Sequence, residues 1–205
     1  YKAGQFVWVS FGCRPFPWRD HPYSLASSPR EGGDLRLLIK SRGDFSAAAG
    51  AIAPGTIAYV DGPHGAFTLE GRAAGTIVLF AGGIGIAPIL GILRELQLSG
   101  DKRAVRLVYG VREESRLVGR DIIAAAQAGL DLNVDYILEE PPPGWAGFTG
   151  AITPERVLGA IRGRDPHGCL CLLCGPTPMM LAAERTLLDA GVPSSNIVYE
   201  RFDYD

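Results

Sequence analysis

From Gly75 onward, short apolar runs alternate with amphipathic stretches. The runs Thr76–Ala81, Ala104–Tyr109, Leu132–Leu138, Cys169–Leu173 and Asn196–Glu200 have strand length. Between them, apolar residues at helical spacing predict helices over Ile86–Leu98, Gly119–Ala128, Pro154–Ile161 and Pro178–Asp189. Such alternation implies βαβ units: an α/β doubly wound parallel sheet with helices on both faces. Pro141-Pro142-Pro143-Gly144 reads as a loop, because the alternation resumes after it.

The first 70 residues have a different grammar. Phe6–Phe11, Tyr23–Ala26, Asp34–Lys40 and Thr56–Val60 are short β-branched, aromatic or aliphatic runs separated by Gly, Pro, Asp and Ser clusters. A helix-like insertion at Phe45–Ala51 interrupts them. This pattern predicts an antiparallel β-barrel or sandwich over residues 1–70, followed by an α/β domain over residues 75–205. The chain opens on Tyr1 without an initiator Met and runs at once into a strand, so a fragment is expected.

Composition narrows the class. Apolar residues make up 47% and charged residues 20%, as in an ordinary globular chain. A net charge of −2 supplies no basic field for nucleic acid or an anionic membrane, so no nucleic-acid partner is expected. No apolar run reaches the roughly 18 residues that cross a bilayer. Cys169, Cys171 and Cys174 lack a nearby fourth ligand and read as buried strand thiols, so no metal site is assigned. Unpaired thiols favour a reducing, cytoplasmic setting.

The chemistry concentrates at two turns. Gly82-Gly83-Ile84-Gly85-Ile86-Ala87-Pro88 follows an apolar strand and opens a helix, so backbone N–H groups and the helix dipole can cradle a phosphate. Cys174-Gly175-Pro176 ends another strand and leaves room for a flat ring. In open α/β sheets both would face the crevice at the carboxyl ends of the strands. Tyr109-Gly110-Val111-Arg112 carries no acid at the end of the second strand, so Arg112 (with Arg116) favours a 2′-phosphate and hence NADPH. NADH is the alternative, with Glu113 or Glu114 on the ribose.

Together these residues resemble the ferredoxin–NADP reductase superfamily. The resemblance rests on His21-Pro22-Tyr23-Ser24, Gly43-Asp44-Phe45-Ser46, the glycine turn through Pro88, Cys174-Gly175-Pro176 and Glu200-Arg201-Phe202, all in order. His21 stands where the family's R-x-Y-S motif has Arg. That form, with Asp61-Gly62-Pro63-His64-Gly65, is similar to the branch of NADPH oxidases and ferric reductases. The resemblance implies an NAD(P)H-dependent FAD oxidoreductase, its first barrel strands upstream of Tyr1. It implies a haem-bearing transmembrane domain, also upstream, as electron acceptor. A soluble ferredoxin, flavodoxin or oxygenase reductase, or a regulatory flavin-binding subunit, are the alternatives.

By the same resemblance, Tyr23 packs on the flavin, Ser24 reaches flavin N5, and His21 takes the phosphate-binding Arg position beside Pro22. Gly43 and Ser46 hold the FAD pyrophosphate, with backbone help from Ile39 and Lys40. Phe202 or Tyr204 covers the other flavin face. Gly82, Gly83, Gly85, Ile86, Pro88, Arg112, Cys174, Gly175 and Pro176 hold the nicotinamide nucleotide. Ser24, Cys174 and Phe202 are the residues expected nearest the reacting atoms.

Overall fold

The computed structural model describes residues 1–12, 21–41 and 44–201, for Asp44 and Phe45 the backbone alone. Its first sheet has three antiparallel strands: β1 (Phe6–Phe11), β2 (His21–Ser24) and β3 (Ala58–His64), in the order β2-β1-β3. Phe6 lies opposite Ser24 on one side and His64 on the other. A five-residue helix, α1 (Asp44–Ala48), falls between β2 and β3.

The expected strand over Asp34–Lys40 does not form; Leu25 and Leu37 make a single bridge there. The Ser27 hydroxyl accepts from Arg36 N–H at 3.1 Å, and Ala26 N–H donates to the Arg36 carbonyl at 2.8 Å. Side-chain capping thus replaces a second rung, and Leu37 and Leu38 pack into different apolar clusters.

The second sheet is wholly parallel and six-stranded. Its strands are β4 (Thr76–Gly82), β5 (Ala104–Val111), β6 (Leu132–Leu138), β7 (Phe148–Thr149), β8 (Cys169–Cys174) and β9 (Ile197–Glu200), ordered β7-β6-β5-β4-β8-β9. Helices α2 (Ile86–Ser99) and α3 (Arg120–Gly129) cover one face, and α4 (Pro154–Ile161) and α5 (Thr177–Asp189) the other. Every residue of β4 and β8 is buried, which is why their sequences are continuous apolar runs rather than alternating ones. The two-residue β7 was not expected from the sequence; it is too short to carry a periodicity.

The N-terminal sheet has a small apolar cluster of its own around Val7, Val9 and Leu25, and the segments flanking its strands reach the larger core. Ala3, Ala26 and Phe67 pack into the cluster built by α2 and the β4–β6 face. Gly91 on α2 allows the closest approach: a Cβ there would lie 2.7 Å from the Leu25 carbonyl oxygen and 3.0 Å from that of Ser27. A polar rim surrounds this contact. The Ser28 hydroxyl donates to Glu95 at 2.5 Å, Arg30 Nε donates to the same carboxylate at 2.7 Å, and Arg94 pairs with Glu31. Among the described residues, no helix is long and apolar enough to cross a membrane.

Gly91→Ala pushes a methyl group into main chain that cannot rotate away, and should cost about 1–3 kcal/mol. Gly159→Ala, at an exposed α4 position with open space around it, should instead raise stability by up to about 1 kcal/mol. Calorimetric melting of both variants checks the contact. A Gly91→Ala protein melting with the parent would refute it.

Candidate functional site

The sheet reverses its winding between β4 and β8, and the two glycine-bearing turns lie side by side at that point. Ala81 and Cys174 are neighbours in register. Beyond them, Gly82-Gly83-Ile84-Gly85 leads into α2 and Gly175-Pro176 into α5. The turns pack closely: a Cβ on Gly85 would lie 2.1 Å from the Cys174 carbonyl oxygen, one on Gly175 2.9 Å from Gly82 Cα, and one on Gly82 2.6 Å from the Pro176 ring at Cδ. At Gly83 a Cβ would meet nothing within 4 Å, so this glycine forms the open lip.

That lip borders a cleft of about 900 Å³, within the usual range for small-molecule sites. Gly82, Gly83, Arg112 and Pro176 line it from the parallel sheet; Leu38, Ile39 and Lys40 line it from the N-terminal half. The expected nucleotide residues therefore separate into two groups. Gly82, Gly83, Arg112, Pro176 and Lys40 face the cleft, whereas Gly85, Ile86 and Pro88 are buried behind it and shape the turn. Arg112 is largely exposed and carries an ion pair to Glu140 at 2.8 Å.

His21, Pro22, Tyr23 and Ser24 form β2. Tyr23 is half-buried, and burial pushes its hydroxyl pKa up, so it stays protonated. Ser24 is buried, and its Oγ has no hydrogen-bond partner, a costly state that a ligand atom would relieve. Ser46 is half-buried on α1. Gly43, Phe202 and Tyr204 lie outside the described residues.

Cys174 is fully buried, and its side chain joins the core on the α2 face. Burial pushes its thiol well above the ordinary value, and the Glu200 carboxylate adds to the effect. The group is a neutral, compact thiol with no thiolate character.

Glu200, part of the Glu200-Arg201-Phe202 motif, carries no role expected from the sequence. It closes β9 directly beside Cys174 and is 8% exposed. Burial pushes its carboxyl up to about 7 from an ordinary 4.5. A Cβ on Gly65 would lie 3.4 Å from Glu200 Oε2 and 3.0 Å from the Phe6 ring. Gly65 thus lies between the Phe6 ring and the Glu200 carboxyl, and strand pairing sets Phe6 beside Ser24 and Glu200 beside Cys174, which puts Glu200 where the two halves meet. One signal was available: a lone acid ending the apolar run Ile197-Val198-Tyr199.

Comparison with known proteins gives two family matches, an oxidoreductase NAD-binding domain over residues 79–185 and an FAD-binding domain over residues 1–53. The chain is 30% identical over 181 residues to an NADH-cytochrome b5 reductase 1 of Laccaria bicolor, covering 86% of this chain and 59% of the relative. A protein of the same name from Meyerozyma guilliermondii is 33% identical over 86% of this chain and 63% of its own length. The chain thus spans about 60% of the curated relatives it matches. Among solved structures, the Amycolatopsis cytochrome P450 reductase GcoB superposes with a TM-score of 0.81 at 25% identity, over 98% of this chain and 61% of that one.

A carboxyl with a raised folded-state value holds a proton that the unfolded chain has already released. Its contribution to stability is therefore complete below pH 4.5 and is lost as pH rises through about 7. Glu200→Gln should flatten that loss. Urea unfolding at about pH 5 and about pH 8 measures it. Identical declines in parent and variant would mean that the carboxyl ionises freely.

Proposed function

We propose, from the premise that this chain belongs to the ferredoxin–NADP reductase superfamily, that it is an NAD(P)H-dependent flavin reductase module passing electrons to a haem acceptor. Residues 1–70 would hold FAD and residues 75–205 the nicotinamide nucleotide, in line with the two family matches. The observation that carries this reading is the cleft itself: the paired glycine turns of the β4–β8 reversal open onto Leu38, Ile39 and Lys40, with Ser24 buried and unpartnered nearby in the same half.

The residues present fit both groups. The backbone of Gly82, Gly83 and Ile84, which lines the cleft just ahead of the 14-residue α2, would offer donors to a diphosphate beside the helix's positive end. Lys40 adds a cation on the facing wall. The Ser24 hydroxyl would donate to the flavin edge, gaining the partner it lacks, and Tyr23 beside it would pack against the ring. When bound, the two cofactors supply hydride transfer and stepwise electron release. The protein's part is placement. Gly85 brings α2 hard against β8, Gly175-Pro176 keeps side-chain bulk out of the ring position, and the neutral Cys174 thiol gives a low-polarity floor. Glu200, titrating near neutrality at about 7, would hold a proton at its carboxyl between the two halves.

The acceptor rests on different support. The curated relatives are named NADH-cytochrome b5 reductases, which favours a b5-type haem protein. The His21-Pro22-Tyr23-Ser24 sequence favours the haem of a membrane ferric reductase. Both require a one-electron haem partner. The described cysteines Cys169, Cys171 and Cys174 are free thiols, consistent with a reducing, cytoplasmic setting.

Anaerobic mixing of the FAD-loaded chain with NADH or NADPH should bleach the flavin absorbance. Ser24→Ala should leave the stability of the cofactor-free chain unchanged or slightly higher, because the lost hydroxyl has no partner. It should slow bleaching about tenfold, the worth of one hydrogen bond of about 1.4 kcal/mol. Binding of FAD without bleaching would assign the chain a non-catalytic role instead.

A further inference from the structure

The cleft wall beside the glycine turns, at the end of β5, carries an unusual balance of charge. Arg112, just past β5, donates from both Nε and Nη2 to a single Glu140 oxygen, each at 2.8 Å. Arg116 is bonded to Glu113 at 3.0 Å and Arg120 to Glu114 at 3.1 Å. Each guanidinium in this corner already has a carboxylate, and Glu139, which lines the cleft, leaves one carboxylate in excess.

The Arg112–Glu140 pair is set by the backbone. The β5–β6 ladder continues beyond the strand ends, with Glu139 N–H donating to the Val111 carbonyl at 3.1 Å and Glu140 N–H to the Arg112 carbonyl at 2.7 Å. The parallel register thus brings the two side chains together from adjacent strands. Glu140 is the main cause of the raised Arg112 pKa, followed by the charges of Glu113 and Glu139.

We propose, resting on the nicotinamide reading above, that Glu140 is a specificity-determining residue: by occupying Arg112 it makes the cleft select a nucleotide with a free ribose 2′-hydroxyl over one bearing a 2′-phosphate. A phosphate monoester brought to Arg112 must displace the Glu140 carboxylate and sit near the excess charge of Glu139, with Arg116 and Arg120 already engaged by Glu113 and Glu114. A neutral 2′-hydroxyl meets no such repulsion and can donate to a carboxylate. Taken alone, Arg112 points to NADPH; taken with its partner, it points to NADH.

The test compares 5′-ADP with 2′,5′-ADP by titration calorimetry, and NADH with NADPH by kcat/KM with ferricyanide, in the parent and Glu140→Gln. Glu140 is largely exposed, so the substitution leaves the core untouched. The parent should favour 5′-ADP and NADH. Glu140→Gln should move both ratios toward the 2′-phosphorylated compound by roughly fivefold, the most an exposed ion pair usually commands, and added salt should shrink the shift. A parent that prefers 2′,5′-ADP, or ratios that do not move, overturns the assignment of Glu140. If 5′-ADP and NADH fail to bind at all, the nicotinamide reading falls, and this inference with it.

Discussion

The contact between Gly85 and the Cys174 carbonyl governs the geometry of the cleft. Two parallel strands lie side by side in the middle of the sheet, and the helices that follow them leave toward opposite faces. The crevice at that reversal keeps its shape only if no side chain stands at positions 82 and 85, where the second turn packs close. A methyl group at position 85 would stand 2.1 Å from a carbonyl oxygen fixed in a fully buried strand, so the cleft floor would have to shift. Everything attributed to the site, from the exposed lip at Gly83 to the seat at Gly175-Pro176, depends on that approach.

A second close contact fixes what faces the crevice. Gly91 lets α2 rest on the main chain of Leu25 and Ser27, one step beyond Ser24 in the N-terminal sheet. The helix that begins at the glycine turn therefore also positions the segment carrying the unpartnered hydroxyl. Glu95 and Glu31 bind Ser28, Arg30 and Arg94 around the contact, so the two halves meet through a shared apolar core with a polar rim.

Much of this was legible from the sequence. Fully buried strands such as Val78-Leu79-Phe80 and Leu170-Cys171-Leu172 are continuous apolar runs, and the turns after them carry glycine where main chain meets main chain. The Asp34–Lys40 strand was misread because Ser27 takes an amide that a ladder would have used, an exchange local propensity does not register. The Glu140 partner of Arg112 cannot be read from one dimension, because it depends on which strands lie adjacent, and the acid closing the Ile197-Val198-Tyr199 run hints at the burial of Glu200 without naming its neighbour Cys174. Arg112 seen alone carried one meaning, and seen in its register another.

Hydrogen exchange on the FAD-loaded chain, with and without NADH, tests the shared crevice most directly. FAD should slow exchange around residues 38–41 and NADH around 83–87 and 175–177, the two turns responding together. Protection by NADH confined to the hollow around Tyr136 and Trp145, or absent from both turns, would contradict a shared crevice.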